Sequence, residues 1–277
     1  MTHTKVYPWL TAMACMLTGL AISQPATEKL PIPLSDPNRP AMLKVGLITG
    51  GITVKGYAGK EVMVEATMAP EEEEEQPKEK KNGSLKLIPN TSTGLTAEEE
   101  DNTVSINTGL RGISRKIDLV IQVPTACSMK LSTVNDGDIQ VENVNGDLEI
   151  NNTNGSITLN QIAGSAVAQT INGEVKVVFT RVSADKAMSF SSLNGDIDVT
   201  FPASLKASVQ LKSEQGEIYS DFDLQMQKAP ARVDKNDQGK GKYRVTVENL
   251  MRGTINGGGQ EITFNNFNGS IYIRKGS

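Results

Sequence analysis

Histidine, cysteine and tryptophan are almost missing from this 277-residue chain. It has one histidine, two cysteines and one tryptophan, and aromatics make up 4% of the residues. His3 and Trp9 fall in the first 23 residues, which read as a secretory signal: Lys5 supplies the positive charge, Val6 to Ile22 the apolar stretch, and Ala21-Ile22-Ser23 a small-residue cleavage site before Gln24. Removal of that segment leaves no histidine for general-base catalysis or metal ligation. It also leaves only Cys127, so no internal disulfide can form. A transmembrane anchor is the alternative for the same segment, but Pro8 shortens an apolar run that needs about 20 residues to span. Lipidation at Cys15 is disfavoured because Ala12-Met13-Ala14 lacks the aliphatic residue expected ahead of such a cysteine. Cys127, between strand-like runs, reads as a small buried side chain.

A strongly basic stripe is lacking too. With Lys5 removed from the 28 basic residues, 27 face 32 acidic ones, and a net charge of −5 argues against a nucleic-acid partner. No helical period is sustained anywhere. Instead Leu43, Val45 and Leu47 alternate, as do Ile52 and Val54, then Val62, Val64 and Ala66, with glycines between the runs. Further strand signals lie at Leu85 to Ile88, Thr103 to Ile106 and Ile117 to Val123, and Tyr243 to Val247 alternates after a second break. The chain is expected to be all-β. Its expected organisation is a signal peptide at 1–23, a Pro-rich leader at 24–41, and one domain at 42–277. Charged loops interrupt that domain at 69–84, where Glu71 to Glu75 is an unbroken acidic run, and at 225–242.

What the chain does have is a period. Gly137, Gly146, Gly155, Gly164 and Gly173 are nine residues apart, and Val144-Asn145-Gly146-Asp147-Leu148-Glu149-Ile150 is echoed by Thr153-Asn154-Gly155-Ser156-Ile157-Thr158-Leu159. Asn-Gly is a hairpin signal, but a meander would set Glu142 against Glu149 and leave Val144 in solvent. A right-handed parallel β-solenoid places them better. Residues two, four and seven after each glycine then line one core: Ile139, Val141 and Val144; Leu148, Ile150 and Thr153; Ile157, Leu159 and Ile162. The same reading turns Ile171, Leu193 and Phe267 inward, and lets glycine supply a positive φ at each corner. Two units make a coil of 18–22 residues; roughly ten coils give a rod of about 50 Å at one strand spacing each. Asparagines at equivalent corners are expected to stack into hydrogen-bonded ladders.

Ser132 to Val141, Ser191 to Val199, Gly216 to Ser220, Thr254 to Gly259 and Asn268 to Ile273 carry a further likeness. Through them the chain, from about Lys44 to Lys275, resembles the bacterial β-strand-repeat family of unknown function whose members are called putative adhesins, related to head-GIN auto-transporter adhesins. The resemblance implies a fold and no site. The expected function is therefore a non-catalytic, exported cell-envelope or surface protein: an adhesin-like scaffold of the periplasm, cell surface or extracellular space. Its partner is an envelope protein or a glycan, and no cofactor or metal is assigned.

The alternative is a β-helix protein that binds or cleaves polysaccharide. The carboxylates that could serve cleavage are Asp138, Asp147, Asp196, Asp198 and Glu217, each one or three residues after a corner glycine, where polar side chains face water. A calcium-stiffened roll fits less well, because the residue after the glycine is Asp at 138, 147 and 196 but Ser at 156 and Glu at 174. End-to-end association through free strand edges follows if the rod ends are uncapped.

Overall fold

The computed structural model describes residues 27–68, 93–108, 115–227 and 250–276, with only the backbone of 232–234 and 244–246. The signal segment with Cys15, the acidic loop at 69–84, the run at Leu85 to Ile88 and most of the 225–242 loop lie outside the described residues.

All regular elements among the described residues are strands. The first group comprises β1 (Thr27–Pro33), β2 (Ala41–Gly46), β3 (Ile52–Tyr57), β4 (Glu61–Met68), β5 (Leu95–Glu100) and β6 (Thr103–Thr108). The middle of the chain gives β7 (Ile117–Pro124), β8 (Cys127–Thr133), β9 (Ile139–Glu142), β10 (Asn145–Asn152), β11 (Ile157–Asn172), β12 (Val175–Val182), β13 (Met188–Asn194) and β14 (Ile197–Phe201). Last come β15 (Ala207–Ser213), β16 (Ile218–Ser220), β17 (Gln225–Gln227), β18 (Arg232–Asp234), β19 (Arg244–Thr246), β20 (Met251–Ile255), β21 (Gln260–Asn268) and β22 (Ile271–Lys275). β18 and β19 pair with each other as a separate hairpin inside the expected 225–242 loop and its flank.

The sheet is mixed, which corrects the expectation of a wholly parallel fold. Its centre is parallel, and the register there follows the sequence period. Ile139 of β9 pairs with Ile157 of β11, which pairs with Val175 of β12, an offset of 18 residues each time. Leu148 of β10 pairs with Ala166 of β11 at the same offset. It widens to 22 where Val175 meets Ile197 of β14 and Ala168 meets Phe190 of β13. Each rung thus contributes one strand to each of two faces. The first face stacks β3, β9, the start of β11, β12, β14 and β22. The second stacks β2, β8, β10, the end of β11, β13 and β21.

Between the faces runs one apolar core. Ile139, Val141, Val144, Leu148, Ile150, Ile157, Leu159 and Ile162 are all buried as expected. Each large aliphatic side chain so placed contributes about 1.5–3 kcal/mol of transfer free energy. Toward the C-terminal end aromatics replace aliphatics: Phe179 stacks on Phe201 at 5.2 Å and 8°, and Phe190 lies 5.4 Å from Phe264.

The rungs do not stack in chain order. β2 and β3 lie between β6/β7 and β8/β9, so the first rung of the chain is held by two later ones. The last rung, β21/β22, is likewise inserted between β13/β14 and β15/β16. Antiparallel strands then close both ends: β4 on β7, β1 on β4 and β5 on β6 at one, β20 on β15 and β17 on β20 at the other. β1 belongs to the Pro-rich stretch expected to be a leader, and its residues 27–33 pair with β4. Its Pro31 and Pro33 have the same strand parity, and their missing N–H groups blunt one side of an edge strand. β5 is blunted by Glu98, Glu99 and Glu100, and β16 and β17 are three residues each.

The corner glycines are needed mainly for close approach. A Cβ on Gly155 would lie 2.2 Å from the carbonyl oxygen of Gly137, one on Gly173 2.2 Å from that of Gly155, and one on Gly195 2.2 Å from that of Gly173. Gly195 has φ 143°, but Gly137, Gly155 and Gly173 are not in the left-handed region, so positive φ is not the common requirement. Gly146 and Gly164 form the opposite corner, where a Cβ on Gly164 would lie 2.1 Å from the Gly146 carbonyl oxygen. The nine-residue spacing therefore visits the two corners alternately.

Candidate functional site

The two corners treat the residue before Asn-Gly differently. At the Gly146/Gly164 corner, Asn143 (φ 57°) and Gln161 (φ 51°) are left-handed and break the strand alternation, which turns Val144 and Ile162 into the core. At the Gly155/Gly173 corner the strand keeps its alternation up to the asparagine. There the inward place goes to a polar residue, Asn152, Thr170, Ser192 or Asn266, and the next residue points out. Thr153 is accordingly half-buried, and Ile171, Leu193 and Phe267 are exposed, all four against the expectation of an inward bend.

The inward polar residues pin the glycine of the neighbouring rung. Thr170 Oγ1 donates to the Gly155 carbonyl at 2.8 Å, Ser192 Oγ to Gly173 at 2.8 Å, and the Nδ2 groups of Asn152 and Asn266 to Gly137 and Gly195 at 3.0 Å. The Oδ1 atoms of Asn152 and Asn266 are buried without a partner. Just outside this column stands the expected asparagine ladder. Asn154 Nδ2 donates to Asn135 Oδ1 at 3.0 Å, Asn172 to Asn154 at 2.7 Å, Asn194 to Asn172 at 2.8 Å and Asn268 to Asn194 at 3.5 Å.

Register then lines up the outward residues, one per rung: Ile48, Val134, Thr153, Ile171, Leu193 and Phe267. Except for Thr153, they are between 40% and 46% exposed and form an apolar strip. Parallel to it on the second face runs a neutral polar row of Asn151, Gln169, Ser191 and Asn265, in which Gln169 Nε2 donates to Asn151 Oδ1. Between strip and row lies a groove of about 550 Å³. At one end of it Lys212 and Glu214 pair at 3.0 Å.

The carboxylates considered for cleavage are not gathered around this groove. Asp138 Oδ1 accepts from the Ser156 amide at 2.8 Å and Asp196 Oδ1 from the Ser270 amide at 2.8 Å, so both tie a corner to its neighbour. Asp147 holds Lys186 and accepts from Ser165 Oγ at 2.7 Å. The Lys186 ammonium, then the Ser165 hydroxyl, keep its carboxyl below the usual carboxylate range. Asp198 accepts from Arg274 Nε at 2.7 and 2.9 Å, and Glu217 accepts from the Tyr219 hydroxyl. Asp198 and Glu217 lie at the first face, where Tyr219 stacks on Tyr272 at 5.2 Å. Among the described residues, no three His, Cys, Asp or Glu side chains converge as a metal site. Cys127 is fully buried, and desolvation pushes its thiol up to about 12.

The sequence profile of a family described as Toastrack DUF4097 matches residues 81–256. The chain belongs to the Toastrack DUF4097 family. This agrees with the resemblance drawn from the repeat, although the matched segment is shorter than the repeat itself: the inserted rungs β2/β3 and β21/β22 lie beyond it on either side. No curated protein matches the chain. Among solved structures, the chain is similar to a putative cell adhesion protein from Clostridium sporogenes, with 11% identity, a TM-score of 0.47, and coverage of 91% of this chain and 100% of that one. It is also similar to a putative adhesin from Bacteroides fragilis, with 12% identity, a TM-score of 0.36, and coverage of 91% and 97%.

Proposed function

We propose that the protein is a non-catalytic, exported interaction scaffold of the cell envelope or surface, and that its parallel centre is a right-handed β-solenoid with 18–22 residues per coil. The register offsets of 18 and 22 residues support the coil length, and parallel crossovers are right-handed as a rule. The single observation that carries the function is the outward strip. Apolar residues recur at one corner on the rungs of Ile48, Val134, Ile171, Leu193 and Phe267, with Thr153 between them. Exposed apolar patches on soluble proteins mark interaction sites. The scattered, already partnered carboxylates support a role without catalysis.

The test is binding of the labelled protein to envelopes from cells that lack it. Saturable binding that Leu193→Glu abolishes and Thr158→Glu, on the opposite face, leaves intact supports the reading. Binding that is absent, or indifferent to Leu193→Glu, refutes it. Export is tested separately by the mature N-terminus, expected at Gln24.

A further inference from the structure

We infer that the groove beside the strip binds a neutral, linear polysaccharide laid along the stack of rungs; this rests on the scaffold reading and names the ligand class of that site. The first ground is charge. In a chain with 22% charged residues, one wall of the groove is amide and hydroxyl (Asn151, Gln169, Asn265) and the other is apolar (Ile171, Leu193, Phe267). The lysine and glutamate at its end neutralise each other. A polyanion or polycation finds no counter-charge there, whereas an uncharged polymer loses no ionic solvation on entering.

The second ground is the backbone. β10, β11, β13 and β21 are each paired on both sides, so an extended peptide has no free edge to extend by strand addition. The apolar strip is one side chain wide, too narrow for the roughly 1,200–2,000 Å² that a stable protein interface buries. A 550 Å³ groove is instead in the range of small-ligand sites, about 300–1,000 Å³. Pyranose rings match its two walls, with C–H faces for Leu193 and Phe267 and a rim of hydroxyls for amides that both donate and accept. The walls also repeat once per strand spacing, about 4.8 Å, close to the length one sugar adds to an extended chain.

The test titrates the full mature chain with linear β-glucan, mannan and galactan oligomers of graded length, and with uronic-acid oligomers as the charged comparison. The expected result is saturable binding to at least one neutral series, tightening with length to four or five sugars. It should be insensitive to 0.5 M NaCl, and at least tenfold weaker in Leu193→Glu and Gln169→Leu but not in Thr158→Glu. Both groove substitutions are at the surface, and unchanged urea unfolding verifies that they fold. No length-dependent binding to any neutral series, preference for the uronates, or full binding by Leu193→Glu overturns the inference. Envelope binding separates this failure from that of the scaffold. Loss after periodate oxidation but not after protease supports a glycan. Loss after protease alone means a protein partner, which overturns the glycan and leaves the scaffold standing. Absence of strip-dependent envelope binding removes both.

Discussion

Replacing Gly173 with alanine isolates the close approach of rungs from backbone conformation. Gly173 is not left-handed, so alanine can adopt its φ; the obstacle is the methyl group, which would sit 2.2 Å from Gly155 O, 2.5 Å from Gly155 C and 2.9 Å from Ser156 N. All three are backbone atoms and cannot swing away. Relief to ordinary contact requires the rungs to part by more than an ångström at this corner. The bonds nearest the added methyl are Gly155 N–H to Asn172 O at 2.8 Å, Asn172 Nδ2 to Asn154 Oδ1 at 2.7 Å, and Thr170 Oγ1 to Gly155 O at 2.8 Å. Overpacking costs about 1–3 kcal/mol and each weakened bond about 1 kcal/mol, so with these three weakened Gly173→Ala is expected to lose about 4–6 kcal/mol. That is a large share of a stability of typically about 5–15 kcal/mol. The control is Gly257→Ala, which has nothing within 4 Å but φ 86° and is expected to lose only about 1–2 kcal/mol from the left-handed conformation. Urea unfolding of the three proteins measures both. If Gly173→Ala unfolds within about 0.5 kcal/mol of the parent, or is less damaging than Gly257→Ala, close approach is not what the repeat glycines are for.

Phe190 touches the rings of Phe179, Phe201 and Phe264 and is fully buried, so Phe190→Ala is expected to cost about 3–5 kcal/mol in the same assay. Because the folded-state pKa of Asp147 is depressed, its contribution is present above its unfolded value of about 4 and is lost as pH falls through the lower folded value. The melting-temperature difference between the parent and Asp147→Asn should therefore be small, since the pair is largely exposed, and should disappear on acidification toward pH 2. Cys127 should resist thiol-reactive dyes at pH 8 in the folded protein and react at once in denaturant; rapid native labelling would contradict its burial.

Much of this architecture is legible in residue spacing. The glycine period announces the 18-residue register, alternation announces the buried aliphatics from Leu43 to Leu159, and the Asn-Gly corners announce the ladder from Asn154 to Asn268. The outward strip is not announced, because Val144 and Ile171 both stand two residues before a glycine and look alike. What separates them is a single left-handed residue, Asn143, ahead of Val144, against Thr170 ahead of Ile171, whose hydroxyl is occupied in the interior. No local rule separates them, because Asn143 and Gln161 are polar three places before a glycine just as Asn152 and Thr170 are. The insertion of β2/β3 and β21/β22 and the antiparallel ends depend on pairings over tens of residues, and nothing in a local window encodes them.

The placement of β21/β22 has a consequence for the order of assembly. β15/β16 precede these strands in the chain but rest on them in space, so a ribosome delivers the support after the part it supports. Stacking cannot simply follow synthesis from one end to the other. A nascent chain stopped near residue 250 leaves β14 and β15 facing a gap, and closure waits for β21 and β22 to slide between two neighbours already made. Such a molecule is better completed after release than during it.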